Sequence, residues 1–117
     1  MRYGLSFVSL AAMVFGIFVS GPAFAQNQAA VEKGMKVFTD QKCSLCHSVA
    51  GKGNAKGPLE DGVANLSADE IREWLVNPQA MRDKTGADRK PAMKSFSTLP
   101  KNDLDALVAY VLSLKKK

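Results

Sequence analysis

The chain is short and mildly basic, and it holds few side chains that bind metals or act as nucleophiles. It has 117 residues and a formal net charge of +5, with two cysteines and one histidine. A structural zinc site requires about four Cys or His ligands. The three available here exclude a site of that kind within the chain.

The N-terminal segment has the pattern of a secretory signal. Arg2 is followed by an apolar run over residues 4–19 and then by the small-residue pattern Ala23-Phe24-Ala25. This pattern predicts a signal peptide, residues 1–25, that is cleaved after Ala25, so that the protein is exported to the periplasm. The alternative is an uncleaved membrane anchor, although the apolar run is short for a membrane span.

Hydrophobic periodicity after the leader predicts one all-α domain over residues 26–117. We expect a helix at about residues 29–40, a second that opens with the capping box at residues 67–70 and ends before Pro78, and a third near the C-terminus. The third carries a complete apolar stripe, formed by Leu104, Leu107, Val108, Val111 and Leu112. A domain of this length has a marginal hydrophobic core without additional help.

Both cysteines and the histidine lie together in the sequence Cys43-Ser44-Leu45-Cys46-His47. A Cys-x-x-Cys-His motif is typical of covalent haem attachment, in which both thiols add to vinyl groups of the haem and the imidazole binds the iron. A thioredoxin-like dithiol would need a strand before the motif, whereas a helical pattern precedes it here. A simple disulfide would leave His47 unexplained. The motif therefore predicts one covalent haem c.

Two long connections separate the predicted helices, at residues 48–66 and 77–100. Both are rich in Gly, Lys, Pro and Asn. Long loops without secondary structure are uncommon in a small domain unless they serve a function. A haem accounts for them, because loops can cover its faces and edges while the helices pack behind it.

After the leader, the chain resembles a class I monohaem cytochrome c over nearly its whole length. The features that carry the resemblance are Gly34, Phe38, the Cys-x-x-Cys-His motif, Gly57-Pro58-Leu59, residues 91–96 and Ala109-Tyr110, in this order. The resemblance implies three main helices and long loops wrapped around one haem. In that family the first and last helices cross at a small residue followed by an aromatic, which packs against an aromatic of the last helix. Gly34, Phe38 and Tyr110 match this arrangement, since close approach of another backbone justifies a glycine inside a helix.

The resemblance also implies that the iron is bound by His47 on one side and by a methionine on the other. A second histidine ligand is excluded, because the chain has one histidine. Among the methionines after the leader, Met35 lies on the apolar stripe of the first helix, which leaves Met81 and Met93. The resemblance favours Met93, which lies shortly before the last helix. Met81 is then expected to fill a gap beside the haem from a loop, a common role of methionine.

Two further residues are expected to support the haem. By similarity, the backbone carbonyl of Pro58 accepts a hydrogen bond from the second ring nitrogen of His47, which orients the ring. The alternative is that Pro58 is a simple turn residue after Gly57. Trp74 is expected in the core, and its indole N–H bonding to a haem propionate is the alternative.

These expectations favour an electron carrier over an enzyme. An iron with both axial positions filled by protein has no vacancy for a substrate and changes oxidation state with little rearrangement. With His47 used as a ligand, no other histidine or cysteine outside the motif remains for a catalytic triad or a metal cluster. We therefore predict a soluble, exported, monomeric one-electron carrier with redox proteins as partners and no nucleic-acid ligand. The alternatives are the haem subunit of a larger oxidoreductase, or a ligand-binding or peroxidase-like haem protein if the methionine bond is weak or absent.

Lysines are expected to mark the docking surface. Lys52 and Lys56 follow the attachment motif, and Lys84, Lys90 and Lys94 lie in the connection before the last helix. If both connections border the exposed haem edge, these lysines form a basic rim that attracts an acidic surface of a redox partner. The alternative is that they are ordinary solvated lysines.

Overall fold

Helices make up most of the described part of the chain. The computed structural model describes Gly4, Gly16 and residues 22–115, with the backbone alone described at residues 22–26. Most of the predicted leader, residues 1–25, lies outside the described residues, and its cleavage stays a prediction. The helices are α1 Pro22–Asp40, α2 Leu59–Gly62, α3 Ala68–Val76, α4 Pro78–Thr85 and α5 Lys101–Ser113. The predicted all-α fold class is confirmed.

The three predicted helices correspond to α1, α3 and α5. Helix α1 ends at Asp40 as expected, but it begins at Pro22 rather than near residue 29. Residues 23–30 carry no apolar stripe for periodicity to detect, yet they are rich in alanine, the residue with the highest helix propensity. Helix α3 opens with the predicted capping box, in which the backbone N–H of Glu70 donates to the Ser67 hydroxyl at 3.2 Å.

Helices α1 and α5 cross at very short range. A Cβ atom on Gly34 would overlap the backbone carbonyl of Ala106 in α5, so only glycine permits this approach. One turn further along α1, the rings of Phe38 and Tyr110 meet edge to face, with centroids 5.4 Å apart and planes at 68°. The predicted crossing of the first and last helices is confirmed, and it anchors a core in which Leu107 is almost fully buried.

Both predicted loop connections contain more regular structure than expected. The first holds a two-stranded antiparallel hairpin, β1 Ser48–Val49 with β2 Lys52–Gly53, and the short helix α2. The second begins with α4, which has Pro78 in its first turn and is followed by Gly86 in the left-handed conformation, φ 74°. The end signals of α4 were present in the sequence, but its largely polar interior hid it from a search for apolar periodicity.

The segment before α5 is fixed against the end of α3. The backbone N–H of Phe96 donates to the carbonyl of Leu75 at 2.7 Å, and the Ser95 hydroxyl donates to the carbonyl of Val76, also at 2.7 Å. Phe96 is buried in the core as a result. These bonds hold the preceding residues, including Met93, next to the space between α3 and the attachment motif.

Candidate functional site

One large cavity lies between the attachment motif, helix α3 and the segment before α5. Its volume is about 970 Å³, the upper end of the range for small-molecule and cofactor sites. All five predicted site residues line it: Cys43, Cys46, His47, Pro58 and Met93. The structure therefore brings together, from positions 50 residues apart in the chain, the side chains that sequence reasoning selected.

The wall of the cavity is mostly apolar. The core residues that face it come from α1, α3, α5 and the segments between them; they are Phe38, Val63, Ile71, Leu75, Phe96, Leu107 and Val111. Such a wall suits a large apolar ring system and excludes water from it. The hydrophobic core of the domain and the lining of the site are thus largely the same residues.

The attachment motif begins as a turn of 3-10 helix, Cys43–Leu45. The backbone N–H groups of Cys46 and His47 both donate to the carbonyl of Cys43, at 3.1 and 2.9 Å. This turn presents both half-buried thiols and the imidazole toward one cavity. Both thiols are free of a disulfide, and burial raises the pKa of the Cys43 thiol to about 11.

Asn54 holds the attachment motif in shape, a role that the sequence analysis missed. Its side-chain amide donates to the Leu45 carbonyl at 3.1 Å, and its backbone N–H donates to the carbonyls of Ser44 and His47. Its Oδ1 accepts from the backbone N–H of Lys56 at 3.0 Å. An asparagine in a glycine-rich loop is the available signal, since Asn readily bonds to nearby backbone.

The carbonyl that orients His47 belongs to Gly57, and the prediction of Pro58 for this role is wrong. His47 Nδ1 lies 3.2 Å from the Gly57 oxygen, whereas the Pro58 carbonyl accepts the backbone N–H of Gly62 at the start of α2. Pro58 is the N-cap residue of that helix. Because a carbonyl can only accept, the Nδ1–H donates and Nε2 keeps its lone pair.

Burial and charge keep the imidazole in its ligand form. Removal from water lowers the pKa of His47 below its usual value, and the nearby Arg89 guanidinium lowers it further, against the opposing effect of the Gly57 carbonyl. A neutral imidazole at neutral pH is the form that binds a metal. Among the described residues, no cluster of three or more His, Cys, Asp or Glu offers a competing metal site.

The three methionines of the domain occupy distinct environments. Met93 is half-buried and lines the cavity. Met81 is 6 % exposed, lies in α4 rather than in a loop, and is not among the residues that line the cavity. Met35 is 50 % exposed, so its expected place in the apolar stripe of α1 is wrong. It borders a smaller recess beside Tyr110 and the β1–β2 hairpin.

The lysines expected to form a rim occupy three different places. Lys56 and Lys94 line the cavity, and the Lys94 ammonium lies 5.2 Å from the centroid of the Phe96 ring. Lys52 borders the smaller recess instead. Lys84 and Lys90 are exposed and do not line the cavity. The sequence analysis also missed three basic residues on the cavity wall, namely Lys42, Arg82 and Arg89.

Two further residues of the cavity wall carry side-chain N–H groups. The Nε atom of Arg82 is buried on the cavity wall without a hydrogen-bond partner. Trp74, expected in the core, is only half-buried and also lines the cavity. Two thiols, an imidazole and a thioether around an apolar space match what a haem requires.

Comparison with known proteins agrees with this site. The family model for cytochrome c matches residues 31–115. Cytochrome c-555 of Methylococcus capsulatus is 35% identical over 86 residues, which cover 72% of this chain and 69% of that protein. The chain belongs to the cytochrome c family. As a member, this cytochrome carries covalently bound haem c and transports electrons between redox partners.

A second relative is much longer than the chain. Cytochrome c oxidase subunit 2 of Alkalihalophilus pseudofirmus is 28% identical over 98 residues, which cover 76% of this chain but 27% of that protein. No solved structure matches the cytochrome significantly. Within the part of the chain that the structure describes, none of the helices has the length and apolar character needed to span a bilayer.

Proposed function

We propose that this cytochrome is an exported, monomeric one-electron carrier whose haem iron is bound by His47 and Met93. Cys43 and Cys46 would supply the two thioether links. The observation that supports this proposal is the position of all four side chains on the wall of one mostly apolar cavity. The leader sequence, with its Ala23-Phe24-Ala25 site, supports export to the periplasm after cleavage.

The protein's contribution to electron transfer follows from these groups. Haem c, when bound, supplies an iron that alternates between the ferrous and ferric states. The Gly57 carbonyl holds the Nδ1–H of His47, so that Nε2 is available to the metal and the ring cannot rotate. The Met93 thioether is a soft ligand that favours the ferrous state and raises the potential. The apolar wall excludes water, which limits reorganisation when the charge changes.

The attachment and the leader are tested together by the mass of the purified protein. We expect residues 26–117 plus one haem, with the haem retained after extraction by acidified acetone. Cys43→Ser or Cys46→Ser should severely reduce the yield of holoprotein. A mass equal to that of the bare polypeptide would refute the covalent attachment, and a mass that includes residues 1–25 would refute the cleavage alone.

The docking surface is proposed to be the cavity mouth at Lys56 and Lys94. Both lysines line the cavity and are exposed, and Arg89 adds a third exposed cation at the same mouth. Clustered positive charge attracts an acidic partner over long range, and salt screens that attraction. A partner with an acidic docking surface fits this mouth.

Small inorganic complexes test the sign of this surface without the natural partner. Oxidation by an anionic iron hexacyanide should slow as ionic strength rises, and oxidation by a cationic cobalt complex should accelerate. Lys56→Gln should reduce the salt dependence, whereas the matched variant Lys36→Gln, on the exposed face of α1, should leave it unchanged. A rate with the anionic complex that is flat or increases with salt would remove the steering proposal.

The second candidate is a haem-bearing subunit of a larger oxidoreductase. The match to an oxidase subunit about three times as long as this chain favours the second candidate, because that protein contains a region similar to this chain. A cytochrome that co-purifies from its native source at constant stoichiometry with an oxidoreductase would favour this candidate. Elution as a free monomer at native abundance would favour the carrier.

A further inference from the structure

We propose that Arg89 raises the reduction potential of this cytochrome by holding its positive charge against the residue that orients His47. The inference rests on the proposed binding of the iron by His47 and Met93. Arg89 lies in the segment between α4 and Met93, outside the attachment motif. Its place in the sequence, between the charged residues Asp88 and Lys90, is that of an ordinary exposed arginine.

The first observation is the position of the Arg89 guanidinium. A Cβ atom on Gly57 would overlap both the Nη1 of Arg89 and the carbonyl of Cys46, so the guanidinium packs directly against the backbone of Gly57. The carbonyl oxygen of Gly57 lies 3.2 Å from Nδ1 of His47, and it also accepts the backbone N–H of Ser48 at 3.0 Å. Arg89 is therefore in contact with the residue whose carbonyl orients the imidazole.

The second observation is which cation acts on which group of the attachment motif. Burial is the main reason that the pKa of His47 is low, and the charge of Arg89 lowers it further. The charge of Lys94 acts instead on the Cys43 thiol, whose pKa is raised to about 11 by burial in spite of that charge. Two cations of the cavity wall thus act at different places, and Arg89 is the one that acts on the imidazole.

The consequence concerns the relative stability of the two oxidation states. Ferric haem carries one more positive charge than ferrous haem, and a fixed cation near the iron ligand destabilises the state with the additional charge. Arg89 should therefore favour the ferrous state. A guanidinium stays protonated throughout the range in which proteins are studied, so its effect should not depend on pH. Because Arg89 is exposed, water screens its charge and the effect should be moderate.

The test measures the reduction potential of the holoprotein by titration against redox dyes. At a fixed ambient potential, Arg89→Gln should lower the ratio of ferrous to ferric protein roughly two- to fivefold, the size expected of a charge interaction that water screens. Arg89→Met, a second neutral variant, should have the same effect, and Arg89→Lys should restore most of the ratio. The shift should be equal at about pH 6 and pH 8, because the guanidinium does not titrate there.

The matched control is Lys90→Gln. It removes the same charge from the next residue of the chain, which is exposed and does not line the cavity, and it should change the ratio far less. Equal ratios in Arg89→Gln and Lys90→Gln would overturn the proposal. A shift in Arg89→Gln that grows with pH would also overturn it, because Arg89 would then act through a group that ionises.

Two spectroscopic measurements separate the charge of Arg89 from a merely structural role. The Nδ1–H resonance of His47 in the ferrous protein should persist in all Arg89 variants, and its loss in each of them would overturn the proposal, because Arg89 would then hold the ring rather than act by its charge. The sulfur-to-iron absorption band of the ferric protein reports on Met93. If that band persists in every variant while the ratios fail to separate, the role of Arg89 is wrong and the carrier function stands.

Discussion

The α1–α5 crossing and the wall formed by residues 42–58 and 86–95 are held together by different means. At the crossing, apolar side chains interdigitate and one glycine lets the backbones approach. In the wall, Asn54 and the Gly57 carbonyl hold the chain through hydrogen bonds to backbone and imidazole. The comparison teaches that the crossing is held by apolar packing, part of which also lines the cavity, whereas the wall holds functional groups in place through hydrogen bonds.

The largest expected effect is at Gly34. Gly34→Ala places a methyl group into the backbone carbonyl of Ala106, so the helices must separate; we expect a loss of roughly 3 kcal/mol or more of unfolding free energy. Gly62→Ala is the matched control, because a Cβ there meets no atom within 4 Å. Thermal unfolding of both holoproteins measures the difference. Equal stability of the two variants would mean that the crossing does not support the fold.

Replacing Met93 and replacing Met81 tests the difference between a methionine of the cavity wall and a buried methionine of α4. Met93→Ala should abolish the weak red absorption band of the ferric protein, lower the reduction potential and allow carbon monoxide to bind, because a coordination position loses its protein ligand. Met81→Ala should leave all three nearly unchanged but lower the unfolding free energy by about 2–5 kcal/mol, since it empties a buried site.

Optical spectra, carbon monoxide titration and denaturant unfolding separate the two roles. Loss of the band in the Met81 variant would reverse the ligand assignment and leave the carrier function intact. An unmutated protein that lacks the band and binds carbon monoxide rapidly would instead favour the ligand-binding or peroxidase-like alternative.

Replacing Asn54 tests whether hydrogen bonds, rather than apolar packing, hold the wall in shape. Asn54→Ala removes the side-chain bonds to the Leu45 carbonyl and the Lys56 N–H, which should cost about 1–2 kcal/mol. We expect faster hydrogen exchange confined to the attachment segment and little change in α1 and α5. Asn65→Ala, at an exposed position in another connection, serves as the control. Exchange that accelerates equally in the helices would show that the two regions are one cooperative unit.

The smallest expected effect is a change in how the stability of the helical region depends on acidic pH. Hydrogen bonds from Lys101 and then from Arg72 hold the pKa of Asp105 below its ordinary value. A depressed pKa in the folded state contributes stability above the unfolded value of about 3.9, and this contribution is lost as the pH falls through the folded value. Asp105→Asn should therefore flatten the decline of Tm on acidification, and Arg72→Gln should flatten it partially. A decline unchanged in both variants would contradict this account.

The sequence was sufficient to predict a feature wherever a local pattern of residues is typical of a single structure. The order of Cys43, Cys46 and His47 predicts haem attachment, because few other sites use two thiols and an imidazole at this spacing. The Ser67–Glu70 capping box marks the start of α3, and the apolar stripe of α5 marks its buried face. Gly34, Phe38 and Tyr110 were paired across the chain only through the family resemblance, and the crossing then confirmed the pairing.

Tertiary structure decided which group faces which, because that depends on where segments distant in sequence meet. The Gly57 carbonyl reaches His47 and also accepts the backbone N–H of Ser48, whereas the Pro58 carbonyl is directed to the backbone N–H of Gly62 in α2. Met81 and Met93 have similar chemistry, and only packing buries one in α4 and turns the other to the cavity. Arg82 could not be recognised in the sequence as a residue of the cavity wall, because its position there depends on how α4 packs against the rest of the chain.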